Sequence, residues 1–123
     1  MDYRDLLAYK KSFDLAMKIF EVSKSFPKEE KYSLTDQIRR SSRSVTVTIS
    51  EAYRKIIYPK NFLSKLTDAE AENSETQVWL DFALACSYLT ESEYYELKGL
   101  NDEAGKLIYY MMNNPDKFGS SKT

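Results

Sequence analysis

Residues 62–87 have the sequence FLSKLTDAEAENSETQVWLDFALACS, in which apolar or small residues recur at alternating steps of four and three. The recurring positions are Phe62, Leu66, Ala69, Asn73, Thr76, Leu80, Ala83 and Ser87. This spacing is a heptad seam, and it predicts a long helix that packs against neighbouring helices. The middle of the seam is made of small residues, so we expect a neighbouring helix to approach closely there.

Three further segments have the apolar periodicity of amphipathic helices. The first covers about residues 3–25 and ends before Pro27, the second covers residues 34–58 and ends before Pro59, and the last begins at Thr90. Ser33 is the predicted N-cap of the second helix, with its hydroxyl accepting from the amide of Asp36, and residues 90–93 (TESE) match a capping box. Residues 45–49 (VTVTI) would favour a strand in isolation. We predict a helix there, because the apolar stripe continues through the segment.

The chain of 123 residues has the size of one domain. Short connections force consecutive helices to run in opposite directions. We therefore predict an all-α fold, an antiparallel up-down-up-down four-helix bundle over residues 1–114, followed by a disordered C-terminal tail over residues 115–123. A less regular packing of four helices is the alternative.

Composition argues against catalysis. The chain has no histidine, which removes the usual general base and the commonest zinc ligand. Glu51 and the acidic cluster of the third helix (Glu70, Glu72 and Glu75) could in principle form an acid and base pair, but their spacing brings no nucleophile beside them. We predict no enzymatic activity, no metal or other cofactor, and no small-molecule substrate.

The expected cellular setting is the cytoplasm. Apolar runs are too short for a membrane-spanning helix, and the N-terminus lacks an apolar signal segment. The single cysteine, Cys86, has no partner for an intramolecular disulfide. We expect its thiol to be buried, because free cysteines pack as small hydrophobes.

Charge is divided unevenly along the chain. Residues 1–65 contain 14 Lys or Arg and 8 Asp or Glu, whereas residues 66–123 contain 4 and 11. On the second helix and after it, the candidate contacts for nucleic-acid phosphates are Arg39, Arg43, Arg54, Lys55 and Lys60. The alternative is that these cations form ion pairs with the acidic half, within or between subunits. We also predict a structural ion pair between Arg40 and Glu51.

Aromatic residues are abundant, with ten tyrosines and six phenylalanines. The last helix carries the adjacent pairs Tyr94-Tyr95 and Tyr109-Tyr110. Adjacent residues on a helix diverge by about 100°, so one core cannot cover both members of a pair. A second buried surface, supplied by self-association, would use the excess.

Several motifs together resemble a known family. The run Phe26-Pro27-Lys28-Glu29-Glu30 is followed by Leu34, Gln37, Arg40 and Ser44, then by Ile49-Ser50-Glu51, and residues 75–80 are ETQVWL. In this order and spacing, over about residues 3–112, the chain is similar to the four-helix bundle proteins encoded in intervening sequences of bacterial 23S ribosomal RNA genes.

The resemblance implies an antiparallel four-helix bundle that assembles as a homopentamer without known enzymatic activity. It also implies an association with RNA or its processing. Relatives include the accessory protein of diversity-generating retroelements, which is thought to bind nucleic acid through a basic pentamer surface. The expected partners are therefore further copies of the chain, with RNA or DNA as the alternative. The acidic second half departs from the basic retroelement proteins.

Overall fold

The computed structural model describes residues 1–121 and has four α-helices with no strand among those residues. They are α1 (Leu7–Ser23), α2 (Leu34–Arg54), α3 (Pro59–Ala85) and α4 (Glu91–Asn113). Short 3-10 helices occupy Tyr3–Asp5, Lys28–Glu30 and Pro115–Phe118. The all-α prediction is confirmed, and residues 45–49 are helical as expected.

Side-chain pairs show that neighbouring helices are antiparallel. Ser23, at the end of α1, bonds to Arg39 near the start of α2, while Ser12 bonds to Thr46 further along. Residue numbers fall along one helix as they rise along the other. The other contacts follow the same rule: Ser41–Thr76 and Glu51–Lys65 between α2 and α3, Asn73–Asn101 and Asp81–Tyr94 between α3 and α4, and Lys11–Glu103 and Lys18–Glu96 between α1 and α4. The four helices therefore close into an up-down-up-down bundle.

The predicted seam of α3 is buried over nearly its whole length. Phe62, Leu66, Ala69, Asn73, Thr76, Leu80 and Ala83 are all buried. Ser87 is exposed instead, because α3 ends at Ala85 and Ser87 takes a positive φ of 62° in the turn to α4.

A polar layer divides the core into two apolar clusters. One cluster is centred on Ile49, Phe62 and Ile108, and the other on Ile19 and Leu80. Between them lie two hydroxyl pairs, Ser12–Thr46 and Ser41–Thr76, whose oxygens are 2.9 and 2.8 Å apart. The four hydroxyls of these two pairs thus have hydrogen-bond partners, as burial requires.

The third pair in this layer joins α3 to α4. The Asn73 amide donates to the Asn101 side-chain oxygen at 2.8 Å, and the Asn101 amide donates to the Asn73 carbonyl at 3.1 Å. Gly105 lies directly beside them, and a Cβ on Gly105 would be only 2.7 Å from Asn73 Oδ1. The close approach expected at the small residues of α3 is therefore present.

Two terminal predictions need correction. The first predicted helix is interrupted at Leu6, which is extended and buried, because Asp2 and Asp5 form a capping box around a separate 3-10 turn. At the other end, Pro115–Phe118 forms a 3-10 helix rather than tail. Phe118 packs against the core, and Ser120 is buried. Residues 122 and 123 of the predicted tail lie outside the described residues.

Two local predictions at the loops are wrong. Ser33 makes no cap hydrogen bond; its hydroxyl donates to Glu30, whose carboxylate also accepts from the Leu34 amide at 3.3 Å. Cys86 is exposed, because it follows the last residue of α3, where the seam has already ended. The capping box at Thr90 and Glu93 is confirmed by reciprocal hydrogen bonds of 3.1 and 2.9 Å.

Candidate functional site

The basic surface of α2 arises from the periodicity of this helix. Ile38, Val45, Ile49 and Ala52 are buried on one side. Polar and charged residues occupy the opposite side, where Arg43 and Arg54 are exposed and Arg39 is half-buried.

Arg39 and Arg43 form the best-defined part of this surface. Their guanidinium carbons lie 4.9 and 5.5 Å from the centre of the Phe20 ring of α1, within the range of cation–π attraction. Arg39 Nε also donates to Ser23 Oγ at 2.8 Å. Among residues 1–121, no carboxylate forms a salt bridge with either guanidinium. The two charges are therefore held in place and remain available to an anion from outside the chain.

A groove of about 570 Å³ extends from these arginines toward the start of α2. Its other lining residues include Lys31, Tyr32 and Asp36. Tyr32 is highly exposed, and Lys31 Nζ lies 5.2 Å from the centre of its ring. Cations for phosphates beside a free aromatic ring are the combination that single-stranded nucleic-acid binders use. The Asp36 carboxylate has the opposite charge and opposes such binding.

The other three predicted contacts lie beyond the far end of the groove: Arg54 is the last residue of α2, Lys55 follows it, and Lys60 is in the first turn of α3. Eleven residues separate Arg43 from Arg54, which is about 16 Å along a helix axis. All three side chains in this group are exposed. The pKa of the Asp2 carboxyl is lowered mainly by the Arg4 backbone amide, and the charge of Arg54 lowers it further. The structure thus splits the five predicted nucleic-acid contacts into two groups.

The predicted ion pair between Arg40 and Glu51 is wrong. Both residues are on α2, eleven residues apart, so one side chain cannot reach the other along the helix. Arg40 instead forms salt bridges with Glu75 and, at 3.6 Å, with Glu72 of α3. Glu51 is exposed, and its carboxylate lies 3.8 Å from Lys65 Nζ.

Three carboxylates of α3, those of Glu72, Glu75 and Asp81, are engaged in structural contacts. Trp79 Nε1 donates to Glu75 at 3.0 Å, on the carboxylate that also binds Arg40. Asp81 accepts from the Tyr94 hydroxyl at 2.6 Å, and this bond raises the pKa of Tyr94 to about 12. Within residues 1–121, no three His, Cys, Asp or Glu side chains are grouped in a way that could hold a metal ion. None of the helices described there is both long and apolar enough to cross a membrane.

The sequence and fold of the chain match a described protein family. The model of the 23S rRNA-intervening sequence proteins matches residues 4–110. The chain belongs to this family. No curated protein matches the chain in sequence.

One solved structure has the same fold as this 23S rRNA-intervening sequence protein. It is a crystal structure of a protein of unknown function from the S23 ribosomal protein family of Bacteroides thetaiotaomicron VPI-5482. The two share 28% sequence identity with a TM-score of 0.79, over 87% of this chain and 96% of the other.

Sequence reasoning about this family member missed one residue of the basic surface. Phe20 lies on α1, 19 residues before Arg39, and contributes the ring on which both arginines rest. No local pattern indicates this role, because Phe20 also fits the apolar stripe of its own helix.

Proposed function

We propose that this 23S rRNA-intervening sequence protein is a non-enzymatic interaction protein that assembles as a homo-oligomer, with the pentamer implied by the family resemblance. The observation that supports self-association is the apolar surface that one chain leaves uncovered. Large apolar side chains are exposed on every helix, among them Phe13 and Met17, Val47, Val78 and Phe82, and Tyr95 and Tyr109. Of these, Phe13, Met17 and Val47 line one groove between α1 and α2, and contiguous exposed apolar surface is typical of protein interfaces.

A role without catalysis is supported by how the ionisable side chains are used. Glu72 and Glu75 bind Arg40, and Asp81 accepts from Tyr94. Glu30 accepts from Ser33, Leu34 and Tyr88. A carboxylate that serves as a general base needs a free lone pair directed at a substrate. A cytoplasmic location is part of the same proposal, because the family is named after ribosomal RNA genes.

The test of this proposal is the mass of the protein in solution. We expect light scattering at micromolar concentration to give a multiple of the 14.4 kDa chain mass. A mass that remains at one chain would contradict self-association.

The second candidate function is nucleic-acid binding through α2, and the Arg39–Arg43 pair on Phe20 favours it. Each phosphate contact that is removed lowers the slope of log K against log salt by about one unit. We therefore expect the double substitution Arg39→Gln and Arg43→Gln to weaken RNA or DNA binding and to reduce the slope by about two.

A matched control separates this site from a general loss of charge. The double substitution Lys11→Gln and Lys18→Gln removes two charges that Glu103 and Glu96 already pair, outside the groove, so binding should change little. Adding Arg54→Gln reveals whether the ligand reaches the far end of α2. Equal effects of the Lys11–Lys18 and Arg39–Arg43 double substitutions on affinity, measured at two salt concentrations, would exclude the site.

A further inference from the structure

The groove at the start of α2 combines a row of cations with a free ring. This basic groove, of about 570 Å³, is lined in part by Lys31, Tyr32, Asp36, Arg39 and Arg43. Arg39 and Arg43 are one helical turn apart, which is about 6 Å along the axis of α2. Neighbouring phosphates of an extended nucleic-acid strand are separated by a similar distance. One strand can therefore place successive phosphates on the two guanidinium groups.

Both guanidinium groups are held in position before any ligand binds. Their central carbons lie 4.9 and 5.5 Å from the centre of the Phe20 ring, and Arg39 Nε also donates to Ser23 Oγ. Within residues 1–121, neither Arg39 nor Arg43 forms a salt bridge. A side chain that is already ordered loses less conformational entropy on binding. A phosphate can therefore bind here at a small entropic cost and without displacing a carboxylate of those residues.

Tyr32 provides the ring of the basic groove. It lies in the connection between α1 and α2, and it is 84% exposed. Lys31 Nζ lies 5.2 Å from the centre of the ring, so a further cation is beside it. Apolar surface stabilises a fold when it is buried, so a ring this exposed contributes little to the stability of its own chain. The flat face of a base would cover the ring, because every base can stack on an aromatic side chain.

A ring and cations in one groove favour a single strand over a duplex. The bases of a duplex are stacked on one another, and a protein reaches only their edges through the grooves of the double helix. A tyrosine can stack only on a base that is splayed out of such a stack. The arginines alone would accept any chain of phosphates. A preference for unpaired bases would therefore come from Tyr32.

Asp36 restricts how a strand can lie in the basic groove. Its side chain is exposed, and its carboxylate carries the same sign of charge as a phosphate. Repulsion therefore keeps the phosphates on the side of Arg39 and Arg43. A carboxylate does accept hydrogen bonds from the amino groups of bases. The acid thus opposes a bare chain of phosphates more than it opposes a strand whose bases lie beside it.

We propose that the basic groove binds a single strand of RNA or DNA, with phosphates on Arg39 and Arg43 and a base stacked on Tyr32. This inference rests on the second candidate function and specifies its ligand as a strand with unpaired bases. The two arginines supply the part of the affinity that salt weakens, whereas the ring supplies a part that salt does not screen. Substitutions of the arginines and of the tyrosine therefore have different effects on the salt dependence.

The first test is Tyr32→Ala, with Tyr32→Phe as the matched control. The probes are a labelled oligouridylate and a labelled oligothymidylate, whose bases stack weakly on one another. Loss of the ring should weaken binding of these strands by about 5- to 100-fold and leave the slope of log K against log salt unchanged, because no charge is removed. Tyr32→Phe keeps the ring and should bind like the parent. Because Tyr32 is exposed, both variants should retain the parental unfolding temperature and mass.

The second test anneals each strand to its complement and adds inorganic polyphosphate as a further probe. Tyr32→Ala should leave binding of the duplexes and of polyphosphate unchanged, because neither offers an unpaired base. The double substitution Arg39→Gln and Arg43→Gln should weaken binding of every probe, because all of them carry phosphates. Comparison of the two single strands distinguishes RNA from DNA as the source of the ligand, and binding of either one with these effects supports the inference.

The outcomes separate this inference from the function on which it rests. A parent protein that binds neither strand overturns nucleic-acid binding and this inference together. If the arginine substitutions weaken binding but Tyr32→Ala binds the strands like the parent, the phosphate contacts stand and the stacked base is excluded. Equal affinity of the parent for the strands and for polyphosphate, at matched phosphate concentration, would show a general polyanion site and overturn the inference.

Discussion

At the scale of single residues, Glu30 is the best example of one side chain that fastens two loops. Its carboxylate accepts from Ser33 and Leu34 at the start of α2, and from the Tyr88 hydroxyl at 2.8 Å in the turn before α4. These bonds lower the pKa of Glu30, and the bond from the Ser33 hydroxyl is the largest cause. The bond between the Tyr88 hydroxyl and Glu30 is the main reason that the pKa of Tyr88 is raised to about 12. One ionised carboxylate therefore links the α1–α2 loop to the α3–α4 turn at the same end of the bundle.

The pH dependence of stability follows from these shifts. A carboxyl whose pKa is lowered by folding stabilises the fold above its usual value of 4.5, and the contribution is lost as the pH falls through the lower folded value. We expect Glu30→Gln to reduce the free energy of unfolding at pH 7 and to lose this effect toward acid pH. Urea unfolding at several pH values measures the difference. Glu29→Gln is the control, because Glu29 is exposed beside it; an equal effect of both substitutions would contradict the role of Glu30.

At the scale of the elements, the contact of α3 with α4 depends on an asparagine pair and a glycine. Asn73 and Asn101 satisfy each other, so neither is left as an unpaired buried amide. Their bonds also set the register of the two helices, because sliding by one residue would separate them. Gly105 provides the space that the Asn73 side chain occupies.

We expect Gly105→Ala to lower the free energy of unfolding by about 1–3 kcal/mol, although alanine is the better helix former. The reason is the contact of 2.7 Å that the new Cβ would make with Asn73 Oδ1. The same substitution in an Asn73→Ala background should cost nothing, because the obstructing oxygen is gone. A double-mutant cycle from denaturant unfolding measures this coupling, and additive effects would show that the contact has no energetic consequence.

At the scale of the whole molecule, the basic and acidic halves of the chain meet across the helix pairs. Lys11–Glu103 and Lys18–Glu96 join α1 to α4, and Arg40 joins α2 to Glu72 and Glu75 of α3. All of these pairs are partly exposed, so each contributes little. Arg39 and Arg43 form no salt bridge within residues 1–121, and both line the groove of about 570 Å³ near the start of α2.

The different contacts of Arg40 and Arg43 predict that substituting these two arginines of α2 has different effects on stability. Arg40→Gln should lower the free energy of unfolding by about 0.5–1 kcal/mol, because Glu72 and Glu75 lose their shared cation. Arg43→Gln should change it by less than about 0.5 kcal/mol, since Arg43 forms no salt bridge within residues 1–121. Thermal unfolding of both variants in dilute solution provides the measurement. Greater destabilisation by Arg43→Gln would assign that arginine a structural role.

The helices and their buried faces could be predicted from local sequence. The signals for the helices are short-range: the proline positions, the capping box at Thr90 and the four-three spacing of α3. Each acts within a few residues of the helix that it starts, ends or orients. The same periodicity identified Leu66, Ala69 and Leu80 as core residues. It also predicted a helix for the β-branched residues 45–49, because burial of one apolar face outweighs weak propensities.

Contacts between helices required the tertiary structure. The tertiary structure decides which glutamate binds Arg40 and which ring lies under Arg39 and Arg43. It also decides how Pro115–Phe118 folds back on the core. All of these contacts depend on the relative positions of segments far apart in sequence. Periodicity gives the direction of a side chain around its own axis, but not the neighbour that it meets. For that reason the bundle was predictable, whereas the pairing of its charges and the groove between α1 and α2 were decided by packing.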